Sequence, residues 1–145
     1  MRMGIGISKA GSYSDALWQR ELAMIHVKER QAIDRLINSF ARYEQEFKRG
    51  HRLAPSDTVQ KLECQEAVKI FYSCLVYLNC CESLDGVLNL ANSLRTDADD
   101  AVKAMATAAP GTYIYIQNAA VFSICMFAAM KLQVAFDIAV KSIKP

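Results

Sequence analysis

"TYIYIQNAAVFSICMFAAM", residues 112–130, runs for nineteen residues with tyrosine as its only ionisable side chain. As a transmembrane span it would define a membrane protein; as the inner helix of a bundle it defines a soluble all-α domain. Its length approaches the roughly 20 residues that cross a bilayer. Two features point to the bundle. Gln117 and Asn118 interrupt the segment, and its apolar stripe continues past Met130 as Leu132, Phe136, Ala139 and Ile143. Lys131, Gln133, Asp137, Lys141 and Lys144 are interleaved with that stripe. A span stops at its flanking charges, whereas an amphipathic helix carries its stripe through them. The spacing therefore predicts one core helix over 113–143.

The same helix has an unusual outer side. At about 3.6 residues per turn, Gln133, Asp137, Lys141 and Lys144 share one face. Projected back toward the N-terminus, that face holds Ala119, Ser123, Met126 and Met130. The side that meets water thus changes from charged to small and soft. A helix apolar all round is covered all round, and only three other long helices are available to cover this one. Ala119, Ser123, Met126 and Met130 are therefore candidate partner-binding residues, for a second copy or another protein.

Upstream, "APGT" (109–112) separates this helix from a run of small residues at spacings of four and three: Val87, Ala91, Leu94, Ala98, Ala101, Met105 and Ala108. A seam of that kind admits a closely packed neighbour. It predicts a helix over 84–108, with "DADD" after Thr96 a place where the helix restarts. "CESLDG" (81–86) is a turn, and 56–82 carries Val59, Leu62, Ala67, Ile70, Cys74, Leu78 and Cys81 in one helical stripe. "FYSCLVYL" (71–78) and "YIYI" (113–116) have enough β-branched and aromatic character to leave an α+β fold open. "GHRLAPSD" (50–57) is the clearest connector: Gly50 ends the preceding helix and Pro55 opens the next, near a capping Ser56 or Asp57.

The first helix is predicted over 13–49, free of Gly and Pro, with Leu22, Ile25, Ile33, Leu36, Phe40, Tyr43 and Phe47 on one face. Ser12 and Asp15 fit a capping box at its start, and the polar "HVKERQ" (26–31) is its expected weak point. Trp18 and Leu22 lie at its exposed beginning and join the candidate partner-binding residues, because a lone tryptophan near a helix start often anchors an interface. Residues 1–11 hold three of the six glycines and read as a flexible arm, leaving 12–145 as a single domain.

Composition bounds the function. The chain has 145 residues, 52% apolar and 22% charged, with a net charge of +2. It is long enough for one self-sufficient core and too weakly basic for a nucleic-acid surface. Its one basic cluster, "KRGHR" (48–52), reads as a solvated connector. Five cysteines, an odd number, without an N-terminal apolar stretch of signal length, predict a reduced, intracellular (cytoplasmic) chain whose thiols pack in the core.

No motif names a chemistry. His26 and Glu29 stand in the reverse order of the Glu-x-x-His pair of di-metal bundles. Cys74, Cys80 and Cys81 lack C-x-x-C spacing, and "GIG" (4–6) is too short for a dinucleotide loop. Neither a catalytic residue, a cofactor nor a metal is expected. Were translation to begin at Met3, "MGIGIS" would match a myristoylation pattern with Gly4 acylated and Ser8 in place. The sequence thus predicts an elongated all-α four-helix bundle with a long first helix and a very apolar last one. Its expected role is a non-enzymatic scaffold that self-associates or docks a protein through apolar helix faces. A membrane-associated protein built on 112–130 is the alternative, and a metal- or thiol-dependent enzyme is a more distant one.

Overall fold

The computed structural model describes residues 9–143, with side chains from residue 15 onward. It consists of four helices, α1 (Lys9–Leu53), α2 (Val59–Cys80), α3 (Leu84–Ala106) and α4 (Tyr113–Ile143), with no strand among the described residues. The chain is an all-α four-helix bundle with a long first helix and an apolar last one. Both stretches with strand character lie inside helices, "FYSCLVYL" in α2 and "YIYI" at the start of α4.

Two antiparallel hairpins build the bundle. In the first, Arg30 of α1 reaches Cys81 past the end of α2, and Lys61 of α2 reaches back to the His51 carbonyl. In the second, Arg95 of α3 bonds Gln133 of α4 at 3.0 Å. The hairpins meet chiefly where α2 lies parallel to α4, while α3 touches α1 and α2 only lightly. Phe71 of α2 is the centre of that joint. Its ring lies 5.2 to 6.2 Å from the rings of Phe40, Tyr43, Phe47 and Phe127, and so touches α1 and α4 together. Such offset and edge-on pairs add specificity to the apolar area they bury. Phe71 lies outside the stripe that spacing predicts for this helix.

The seam of small residues behaves as its spacing implies. Val87, Leu90, Ala91, Leu94, Ala98 and Ala101 are buried on α3, and Cys125, Ala128, Ala129 and Leu132 on α4. Small side chains on both helices let the backbones approach, and α3 with α4 is the most extensive helix pair in the molecule. α3 does not restart at Thr96, whose hydroxyl donates to the Asn92 carbonyl within a continuous helix.

Helix ends differ from expectation in three places. Residues 1–8 lie outside the described part, but Lys9 to Gly11 already belong to α1, so Ser12 is not its start. At the other end α1 runs through Gly50 to Leu53, because Gly50 serves close packing and not termination: a Cβ there would lie 3.1 Å from Cys64 Sγ. Pro55 then stops the helix by disfavouring helical backbone in the residue before it. The cap of α2 is Thr58, whose hydroxyl accepts from the Lys61 N–H at 3.2 Å and donates to the Pro55 carbonyl, while Asp57 takes a left-handed φ of 62°.

Nor is "HVKERQ" a weak point. Arg30 pairs with Asp34 at 2.9 Å and donates to the Cys81 carbonyl at 3.1 Å. Glu29 accepts from the first backbone N–H of α3, that of Leu84, at 3.0 Å. A carboxylate there meets the positive end of the α3 dipole. The two charges of the polar stretch therefore clamp the α2–α3 turn onto α1.

Candidate interaction surfaces

Buried and half-buried polar groups lie within the bundle, and one pair of them ties two helices together. Glu44 and Glu66 are buried carboxylates, each with a lysine one turn on, Lys48 at 3.6 Å and Lys69 at 3.2 Å. Gln117 donates to Glu66 at 3.4 Å. The polar interruption of the apolar segment is thus a tie between α4 and α2, and Asn118 beside it donates to the Ile114 carbonyl. His26 lies 3.5 Å from Glu29, whose carboxylate is already held by Leu84. No three His, Cys, Asp or Glu side chains converge among the described residues.

The thiols are free and four of them are buried: Cys64, Cys74, Cys81 and Cys125. The fifth, Cys80, is exposed, which departs from the expectation that all pack in the core. Burial, with smaller contributions from Cys125 and Asp97, raises Cys74 to about 12. Burial and then Asp97 raise Cys125 to about 11. A raised pKa keeps a thiol protonated and unreactive at neutral pH.

α4 passes the length and composition test for a membrane span, and it is the only described helix that does, yet only 28% of its most apolar window is buried. Its inner side packs on the other three helices. Its outer side carries the expected residues: Ser123, Met126 and Met130 are exposed, the two methionines at 42% and 53%, while Ala119 is half-buried. Phe122, Val134 and Ile138 complete the row, all exposed. The members 122, 126, 130, 134 and 138 stand four apart, so they form one inclined ridge about 24 Å long that winds about 40° per step, from the α3 flank at Phe122 across the outer side to the α1 flank at Ile138. Sequence reasoning missed Phe122, Val134 and Ile138 by taking the outer face after Met130 as Gln133, Asp137, Lys141 and Lys144; the strict spacing of four was the signal.

Trp18 and Leu22 lie on a different surface. α1 has no buried residue among those described before Ala32, and Trp18 is 59% exposed. Ile143, near the end of α4, comes alongside Arg20, Glu21, Met24 and Ile25, so α1 continues beyond the bundle as a projecting arm. On it Trp18, Leu22 and Ile25 extend the stripe that becomes core at Ile33, Leu36 and Phe40. The structure does not bring the six candidate residues together, because Met130 lies thirteen residues, about 20 Å, along α4 from Ile143.

Compared with known protein families, curated proteins and solved structures, the chain matches none. Its function is argued from its own residues.

Proposed function

We propose that the chain is a non-enzymatic interaction module of a reducing compartment, a helical scaffold that acts by contact and whose first partner is its own second copy. The carrying observation is the arm of α1. Trp18 and Leu22 continue the apolar stripe of the helix beyond Ile25, the position at which the stripe still meets Ile143 of α4. An apolar stripe at spacings of four and three is what one helix offers to another in a coiled-coil pairing. Two arms related by a two-fold axis run antiparallel and set Trp18 of one copy against Leu22 of the other, which closes the assembly as a dimer. The outer ridge of α4 is a second contact surface on the same scaffold. The raised pKa of Cys74 and Cys125, and the use of Glu29, Glu44 and Glu66 in packing, support a non-enzymatic role.

Light scattering coupled to size exclusion, in detergent-free buffer, tests the reading. The expected result is a dimer that Trp18→Glu or Leu22→Glu converts to monomer with helical content unchanged. A wild-type chain that stays monomeric at every concentration overturns it.

A further inference from the structure

The ridge of α4 has a charged border that selects its occupant. Lys28, Arg35, Arg42 and Arg49 stand seven apart on α1, on one line along the helix, and all four are exposed. Lys28 borders a groove with Ile143, and Arg35 borders one with Ala135, Ile138 and Ala139. Tyr43 stacks edge-on against Phe127, so α1 and α4 run antiparallel in a fixed register. That register sets Lys28 beside Ile143 and Arg35 beside Ile138, so the basic line borders the C-terminal half of the ridge, while Phe122 at its other end turns toward α3. Among the described residues none of the four cations has a carboxylate within ion-pair distance. Lys131 adds a cation 5.4 Å above the Phe127 ring, and Lys141 another one turn past Asp137. Arg20 and Glu21 share the groove of Lys28, and Glu46 on α1 and Asp137 on α4 are the other acids on this side, so seven cations face three carboxylates.

We infer that the outer ridge of α4 and the basic line of α1 dock together on a bilayer surface bearing anionic headgroups. Met126, Met130 and Val134 enter the boundary between headgroups and acyl chains, with Ile138 at the α1 border, and Lys28, Arg35, Arg42 and Arg49 meet the phosphates on that side. This is the chemistry of an amphipathic helix lying in the plane of an interface, with the rest of the bundle holding it in place. The charges argue against a second copy on this face: antiparallel pairing of two ridges sets the α1 cations of one copy beside those of the other. They also favour a lipid surface over an acidic helix. Apolar peptide helices are received in grooves, whereas the row here is a ridge on the outside of α4 with cations on its α1 side. Gln117 held by Glu66, and the burial of the inner side of α4, keep the helix in its bundle, so the contact is peripheral.

The inference rests on reading the ridge as a contact surface, and the test separates the two. The full chain is floated with vesicles of phosphatidylcholine alone and with phosphatidylserine added. The expected result is at least tenfold stronger recovery with the anionic vesicles, weakening as salt rises. Met126→Glu with Met130→Glu, and separately Arg35→Glu with Arg42→Glu, abolish the recovery, while Trp18→Glu on the distant arm leaves it intact. Circular dichroism checks the fold of each variant. Should the methionine variant fail to fold, the arginine variant, changed only on an exposed edge, carries the test alone. Equal recovery with both vesicle types, or recovery unaffected by the arginine changes, overturns the inference. If the chain ignores vesicles but its solution mass changes with Met130→Glu, the lipid occupant is wrong and the contact surface stands. If neither responds, both are wrong.

Discussion

Cys74 and Cys125 face one another across the α2–α4 joint, and their chemistry follows from burial. An ordinary thiol loses its proton near 9.0, but here burial first, then Cys125 and Asp97, moves Cys74 to about 12, and burial, then Asp97, moves Cys125 to about 11. The folded chain therefore keeps two protons that the unfolded chain releases. Their contribution is fully present below about pH 9 and is lost as pH rises through the raised values, with a slope of about 1.4 kcal/mol per pH unit for each thiol. Denaturant midpoints measured between about pH 8 and pH 10 should decline accordingly. Replacing both by alanine should flatten the decline; an unchanged slope would assign it to other groups. The sequence marked these thiols as core by their apolar surroundings, and that signal sufficed for four of five. It failed for Cys80, because adjacent cysteines on a helix point about 100° apart and only one of the pair can face inward.

Elements were read well wherever punctuation has one meaning, and poorly where it has two. α4 begins at Tyr113 as expected, since Pro110 and Gly111 (φ 84°) leave no alternative and the Thr112 hydroxyl accepts from the Tyr115 N–H. Gly50 is ambiguous. A glycine after a helical stripe marks either a C-cap or a place where another backbone comes close, and only the neighbour decides. Here the neighbour is Cys64, whose sulfur would lie 3.1 Å from a Cβ at position 50. The two sites should therefore couple. In the native background Gly50→Ala is expected to destabilise, because the crowding outweighs the gain in helix propensity. In a Cys64→Ala background the same change is expected to stabilise by up to about 1 kcal/mol, the intrinsic advantage of alanine over glycine within a helix. A double-mutant cycle by urea unfolding reads the coupling, and strict additivity would mean that Gly50 has another role. "HVKERQ" carries a related lesson. Polar residues in mid-helix read as weakness until the partners of Glu29 and Arg30, the backbone at Leu84 and Cys81, come into view from more than fifty positions away.

At the scale of the whole molecule, α1 decides the shape. Its 45 residues span about 67 Å at about 1.5 Å each, whereas a compact chain of this size has a radius of gyration of about 15 Å. The sequence already contained this mismatch, and Trp18 with Leu22 already lay on the part of the helix that outruns the fold. What it did not contain was the separation of that arm from the α4 ridge, because the two surfaces are related only through the packing of Ile25 against Ile143. The separation gives the two modes of assembly different outlines. A dimer joined side by side through the ridges keeps the length of one α1, about 70 Å. A dimer joined through overlapping arms adds a second bundle end to end. If residues 9–25 overlap, about 25 Å is shared, and two helices of about 67 Å then extend to about 110 Å. Small-angle X-ray scattering at a concentration where the dimer predominates should accordingly give a maximum dimension near about 110 Å. Trp18→Glu should return it to about 70 Å together with the monomer mass. A dimer that remains near about 70 Å and survives Trp18→Glu would place self-association on the ridge instead, and would leave the cations of Arg35 and Arg42 to be neutralised between copies.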